Sequence, residues 1–220
     1  MTMTDATLNP RQALSELLDG NRRFAEDRPT KTDQDRSRRA ELANGQHPFA
    51  VVFGCGDSRV AAELVFDQGL GRLFVVRTAG HVVDAGVLGS VEFGVDLLSI
   101  PLVVVLGHDS CGAVTAGVDA LEKGVMPGGF LRDIVEHVAP SVLAAQRAGD
   151  ASVNAAVAEH VKQTTRLLVE RSPVLSDAVD AGRCAVVGLV YSLVEGSVRV
   201  VDVLGDVGDA AVERHDVTHG

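Results

Sequence analysis

The chain has 220 residues, 46 % of them hydrophobic and 23 % charged, enough for one buried core and too few charges for a disordered chain. Acidic residues number 30 against 20 basic ones, and the net charge of −10 disfavours a nucleic-acid partner. No apolar run approaches the roughly 18 residues that a membrane span needs. Residues 1–10 lack the basic start and apolar stretch of a secretory leader. Three cysteines cannot all pair and no C-x-x-C occurs, so a cytoplasmic compartment is expected rather than a disulfide scaffold.

Along the chain, residues 10–24 carry Leu14, Leu17, Leu18 and Phe24 near helical spacing, with Gly20 weakening the middle. Residues 28–39 are polar and mixed in charge. They read as a solvated loop, compatible with an arm on a partner subunit. Short apolar runs follow at Phe49–Gly54, Leu73–Arg77, Leu102–Gly107 and Ala185–Tyr191. Runs of this kind suit strands of a parallel sheet covered on both faces.

Helix-compatible stretches lie between them at 60–68, 82–98 and 113–123, with two or three helices over 130–181. Gly149-Asp150 separates two of these, and Ser172-Pro173 starts a short one. Val198–Val203 reads as an antiparallel edge strand after the turn at Gly196, and residues 209–220 as an acidic tail. The expected fold is therefore a single α/β domain over 1–220. It has a mostly parallel sheet flanked by helices, an antiparallel edge strand and an N-terminal helical arm over 1–39.

Two clusters carry the chemistry. Cys55, Asp57 and Arg59 follow the first strand, and His108 and Cys111 follow the third. In open parallel sheets the carboxyl ends of strands form the ligand crevice, so Cys55, His108 and Cys111 converge if these strands are neighbours. Two thiolates and an imidazole suit zinc, which prefers four tetrahedral ligands and accepts both S and N. A fourth position left to water marks a catalytic site, and Asp57 is the other candidate for it. Arg59 beside Asp57 can hold the carboxylate off the metal through paired hydrogen bonds. Cys184 and His47, His81, His137, His160, His215 and His219 read as packing, structural or surface residues.

Other motifs fare worse. The third glycine of a dinucleotide fingerprint is replaced by Arg59, no Walker-type loop occurs, and Asp57-Ser58 has no neighbouring histidine.

On these residues the chain resembles the β-class carbonic anhydrases, from about Arg11 to Gly205. The family's C-x-D-x-R and H-x-x-C motifs stand here as Cys55-Gly-Asp57-Ser-Arg59 and His108-Asp-Ser-Cys111. The likeness extends to Phe74-Val-Val-Arg77-Thr-Ala-Gly and Leu88-Gly-Ser-Val-Glu-Phe93. The resemblance implies reversible hydration of carbon dioxide to bicarbonate by hydroxide on zinc, one Zn2+ per chain. Cys55, His108 and Cys111 would be the ligands and Asp57 with Arg59 the orienting dyad. Asp57 would be a fourth ligand in a closed state. Gln46, Phe74 and Gly112 would belong to the substrate pocket, and the chain would form a homodimer or homotetramer.

Departures from the family stand at Phe93, where many plant-type members have tyrosine, and at Thr78 and His81, which replace common asparagines. Val52 stands where the bicarbonate-inhibited subtype has tryptophan, so no effector site is expected despite Arg77 and Tyr191. Two alternatives remain at this level: a carbonyl sulfide or carbon disulfide hydrolase on the same scaffold, and a non-catalytic zinc-binding protein.

Overall fold

The computed structural model of the chain describes residues 8–30 and 33–208. Strands β1 (Ala50–Cys55), β2 (Leu73–Thr78), β3 (Leu102–His108) and β4 (Ala185–Tyr191) pair in parallel. Strand β5 (Val198–Leu204) returns antiparallel on β4. The sheet order is β2-β1-β3-β4-β5. Every residue of β1, β3 and β4 is buried, as the unbroken apolar runs require of central strands.

Alternation along the strands divides the core between two faces. Val51, Phe53, Cys55, Val103, Val105 and Val186 face one way. On that side they meet α4 (Ala85–Glu92), α5 (Gly112–Lys123), α6 (Leu131–Arg147), α7 (Val153–Arg171) and α8 (Pro173–Asp180). Val52, Val104, Leu106, Val187 and Leu189 face the other way, against α1 (Pro10–Ala25) and α3 (Ala62–Val65). From β1 the chain passes to β2 on one side, then returns to lay β3 on the other. The carboxyl ends of β1 and β3 therefore flank the reversal in strand order, where such sheets open a crevice.

Three expectations change in detail. The stretch 28–39, read as a loop, contains the start of a short helix, α2 (Arg36–Leu42), whose Arg38 N–H is capped by Asp35. No residue of α2 is buried, so there was no apolar period to find. The helix expected over 60–68 shrinks to α3. The one expected over 82–98 starts after Asp84, which caps Val87 N–H, and widens into a π turn at Phe93–Leu97. The tail at 209–220 lies outside the described residues.

Helix α1 packs on its own sheet. Leu14 and Leu17 are fully buried. Asn21 donates to the carbonyls of Val65 and Gly196 and accepts from Val198 N–H, tying α1 to α3 and to the β4–β5 hairpin. Gly20, a weak helix former, is needed here. A Cβ at that position would lie 1.9 Å from the Phe66 carbonyl oxygen. Beyond the helix, Asp67 receives Arg23 Nε at 2.6 Å together with the backbone N–H and hydroxyl of Thr30. Burial raises its pKa, but these donors outweigh burial and leave it below the usual carboxylate value.

Two outcomes follow for stability. Helix propensity alone predicts that Gly20→Ala gains about 1 kcal/mol. The clash with Phe66 reverses the sign, and urea unfolding should show a loss of about 1–3 kcal/mol. Asp67→Asn should lose about 1.5–3 kcal/mol at neutral pH, because it removes the charge from those hydrogen bonds. The native-state pKa is depressed, so this contribution is complete above the unfolded value of about 4 and disappears as pH falls through the lower native one. Unfolding curves of the two proteins should converge in acid.

Candidate metal centre

Three potential ligands meet above the β1–β3 seam. The parallel register sets Gly54 beside Leu106, so the turns after the two strands emerge side by side. Cys55 ends β1, His108 ends β3, and Cys111 precedes the first residue of α5. All three are buried, and their ligand atoms lie within 4.8 Å of one another. The two sulfurs are 3.9 Å apart, close to the ~3.8 Å edge of a tetrahedron drawn with Zn–S bonds of about 2.3 Å.

His108 supplies the test of fit. Its Nδ1 lies 2.8 Å from the Asp109 carbonyl, which can only accept, so that nitrogen carries the proton. Nε2 then has a free lone pair, and it is buried without a hydrogen-bond partner among the described residues. An orphaned acceptor beside two thiols is costly unless a cation takes its lone pair.

The electrostatics agree. A hydrogen bond from Cys111 pulls the Cys55 thiol down, while the same shared proton, with burial, pushes Cys111 up. Burial pulls His108 down, but contacts with Cys55, the Asp109 carbonyl and Asp57 raise it overall. Surroundings that favour a proton on Nε2 also favour a metal cation there, and a divalent ion relieves the repulsion between two thiolates.

Asp57 sits at the rim, held by Arg59. Its Oδ1 accepts Arg59 Nε and the Arg59 backbone N–H, both at 2.9 Å, and Oδ2 accepts Arg59 Nη2 at 2.7 Å. The Arg59 side-chain bond holds the Asp57 carboxyl far below the usual range. Its Oδ2 lies 3.8 Å from His108 Nε2, and the carboxylate points to Arg59 rather than joining the three ligands.

The structure adds several supporting groups to which the sequence analysis assigned no role at these ligands. Arg77 donates to the carbonyls of Cys55 at 2.8 Å and of Asp57 at 2.5 Å, so its side chain clamps the first turn. The Asp109 carboxylate accepts Leu193 N–H, and Asn154 accepts Ser110 N–H, which fixes the second turn. Gly80 donates its N–H to Cys55 Sγ at 3.4 Å. Arg77 and Gly80 both stand in the Phe74-to-Gly80 segment that resembles the family, but that likeness did not reveal these hydrogen bonds.

The remaining expected residues are distributed differently. Phe74 lies on β2, stacked on Phe93 at 6.0 Å, and packs with the core face that contains Cys55. Gly112 opens α5, and a Cβ there would meet open space. Gln46 is exposed in the segment that enters β1 at the end opposite Cys55. Val52 faces away from the ligands in the other half of the core, where Tyr191 is also buried.

Comparison with known proteins agrees with this arrangement. The family model for carbonic anhydrase matches residues 50–198. A carbonic anhydrase of Mycolicibacterium smegmatis is 53 % identical over 201 residues, covering 91 % of this chain and 98 % of that one. Carbonic anhydrase 2 of Mycobacterium tuberculosis is 51 % identical over 201 residues, covering 91 % and 97 %. Among solved structures, a Coccomyxa β-carbonic anhydrase in complex with acetazolamide superposes with a TM-score of 0.69 at 29 % identity, covering 90 % of each chain. With the C-x-D-x-R and H-x-x-C turns brought together at the strand ends, the chain belongs to the β-class carbonic anhydrase family.

Proposed function

We propose that Cys55, His108 and Cys111 hold one zinc ion per chain, and that Asp57 and Arg59 orient the nucleophile for the family's reaction, reversible hydration of carbon dioxide to bicarbonate and a proton. The observation that carries this reading is the buried, unpartnered His108 Nε2 facing two thiols beside an Arg59-held carboxylate. The relatives are named carbonic anhydrases, and neither the carbonyl sulfide or carbon disulfide alternative nor a non-catalytic role is favoured.

Zinc in this site would supply Lewis acidity, the means by which water yields hydroxide near neutral pH. The protein's part is orientation. Because Arg59 keeps Asp57 ionised, its carboxylate can only accept a hydrogen bond. It takes the O–H of the attacking hydroxide, which turns an oxygen lone pair toward the carbon of carbon dioxide. The new C–O bond forms as a C=O π pair moves onto oxygen, giving bicarbonate. Phe74 pairs with Val51, four residues before Cys55, so its ring, braced by Phe93, would supply an apolar wall for the uncharged substrate only at a site reached across a contact with a second copy. The proton released with each hydration would pass to buffer.

The same reading includes a homodimer or homotetramer. Strand β2 lies at the edge of the sheet, and the neighbouring Phe93 and Leu97 are 44 % and 66 % exposed. An apolar surface beside an unpaired strand edge favours a second copy. Gln46, displaced from its own chain's ligands, would then meet a site only across such a contact. The three free cysteines suit a reducing, cytoplasmic setting. Among the described residues, no helix is long and apolar enough to cross a membrane.

Stopped-flow hydration of carbon dioxide from about pH 6.5 to 9, on protein with measured zinc content, tests the reaction. Activity should rise with pH at one zinc per chain; full zinc loading without hydration at any pH would reject it. Asp57→Ala should lower kcat/KM by at least about 100-fold while zinc content stays unchanged. A variant with near-normal kcat/KM would remove Asp57 from the mechanism. Sedimentation should give a dimer or larger species, and Leu97→Asp should shift it toward monomer. A wild-type monomer at micromolar concentration would reject the oligomer.

A further inference from the structure

Gly80 connects the metal centre to a buried polar cluster behind it. Its N–H reaches Cys55 Sγ at 3.4 Å, and its carbonyl lies 3.0 Å from His160 Nε2. A carbonyl only accepts, so His160 bears its proton on Nε2. Burial is the main cause that brings the His160 pKa down to about 4, so the ring is neutral near pH 7. Nδ1 must then accept, and Ser141 Oγ, 3.0 Å away, is its donor. The same hydroxyl lies 2.9 Å from Gln163 Oε1, so for Ser141 to donate to Nδ1 the Gln163 amide turns over and presents its NH2 group instead. In this arrangement the imidazole has one defined tautomer, and both its nitrogens are satisfied.

Gly80 is also confined sterically. It has φ +62°, and a Cβ would meet the Ala113 Cβ at 2.7 Å. His81 offers no competing anchor. Its two ring nitrogens are buried without a partner among the described residues, and its ring packs 4.5 Å from that of His160.

We propose that His160 is a positioning residue for the metal centre: by holding the Gly80 carbonyl it keeps the Gly80 N–H on Cys55 Sγ, and so sets how much charge that thiolate gives to a bound cation. This rests on the reading of Cys55, His108 and Cys111 as ligands. The physical basis is general. An N–H directed at a thiolate withdraws charge from sulfur, and outer hydrogen bonds of this kind tune both affinity and metal electronics. Nothing in the sequence marks His160 for this role, because it lies in α7, 105 positions beyond Cys55.

Cobalt(II) replacement tests the inference through a signal other than activity. The thiolate-to-cobalt charge-transfer band reports the charge on sulfur, and competition with a chelator reports affinity. His160→Leu, which has no donor, should move the band to lower energy and change the affinity by about 10- to 100-fold. His160→Gln restores an N–H and should return the band and most of the affinity toward wild type. Ser141→Ala, a milder change, frees Nδ1 and should move the band in the same direction by less.

A band that stays in place in folded His160→Leu and Ser141→Ala proteins overturns the proposal. So does an equal displacement in His160→Leu and His160→Gln, since loss of packing alone would produce it. If circular dichroism shows that His160→Leu is unfolded, the Ser141→Ala spectrum decides alone. A wild-type chain that takes up no cobalt overturns the metal-centre reading as well, which separates that failure from this one.

Discussion

The parallel pairing of β1 with β3 is the constraint on which the rest depends. With Gly54 set against Leu106, the two strands end side by side and their following turns face each other. Cys55 belongs to one turn and Cys111 to the other, and no local interaction could bring together residues 56 positions apart. A slip of one residue would turn alternate side chains to the opposite face, sending Cys55 into the other half of the core. The register is held by the Val and Leu residues that fill both faces of these strands. Core packing thus determines the ligand geometry.

Once the turns meet, charge does the remaining work. Two thiols sharing a proton, a histidine with its free nitrogen turned inward and a carboxylate at the rim make a buried group that could hold a cation. Left uncompensated, two ionised sulfurs this close would repel strongly in a poorly hydrated interior. Arg59 neutralises Asp57 without entering the ligand group, and its Nη2 also approaches the Ser110 carbonyl at 3.5 Å on the opposite turn. The dyad therefore links the two turns while leaving the three ligands as a separate set.

Rigidity comes mainly from groups that hold the backbone of the two turns. Arg77 clamps the carbonyls of the first turn, Asp109 and Asn154 hold the second, and Gly80 presents its N–H to sulfur. Arg77 resembled an effector-site residue in the sequence, but its described bonds are to this turn. A site supported in this way resists displacement of its ligands by fractions of an ångström, which matters where orientation of a small nucleophile is the protein's main contribution.

The strand runs, the two motifs and their family resemblance could all be read directly from the sequence, because each rests on contiguous residues. Short apolar runs signal buried strands, and C-x-D-x-R with H-x-x-C names the ligand types and the dyad. Helix limits were less legible. α2 buries nothing, and the π turn at Phe93–Leu97 breaks the apolar period it continues. Gly20 looked like a defect in α1 until the approach of Phe66 explained it. The sequence by itself determined which side chains are candidates for the chemistry and that they follow the first and third apolar runs. Only the tertiary structure decided that those runs are neighbours in register, that Gln46 enters at the other end of β1, and that His160 stands behind Gly80. Such relations depend on packing between segments distant in the chain, and local pattern contains no record of it.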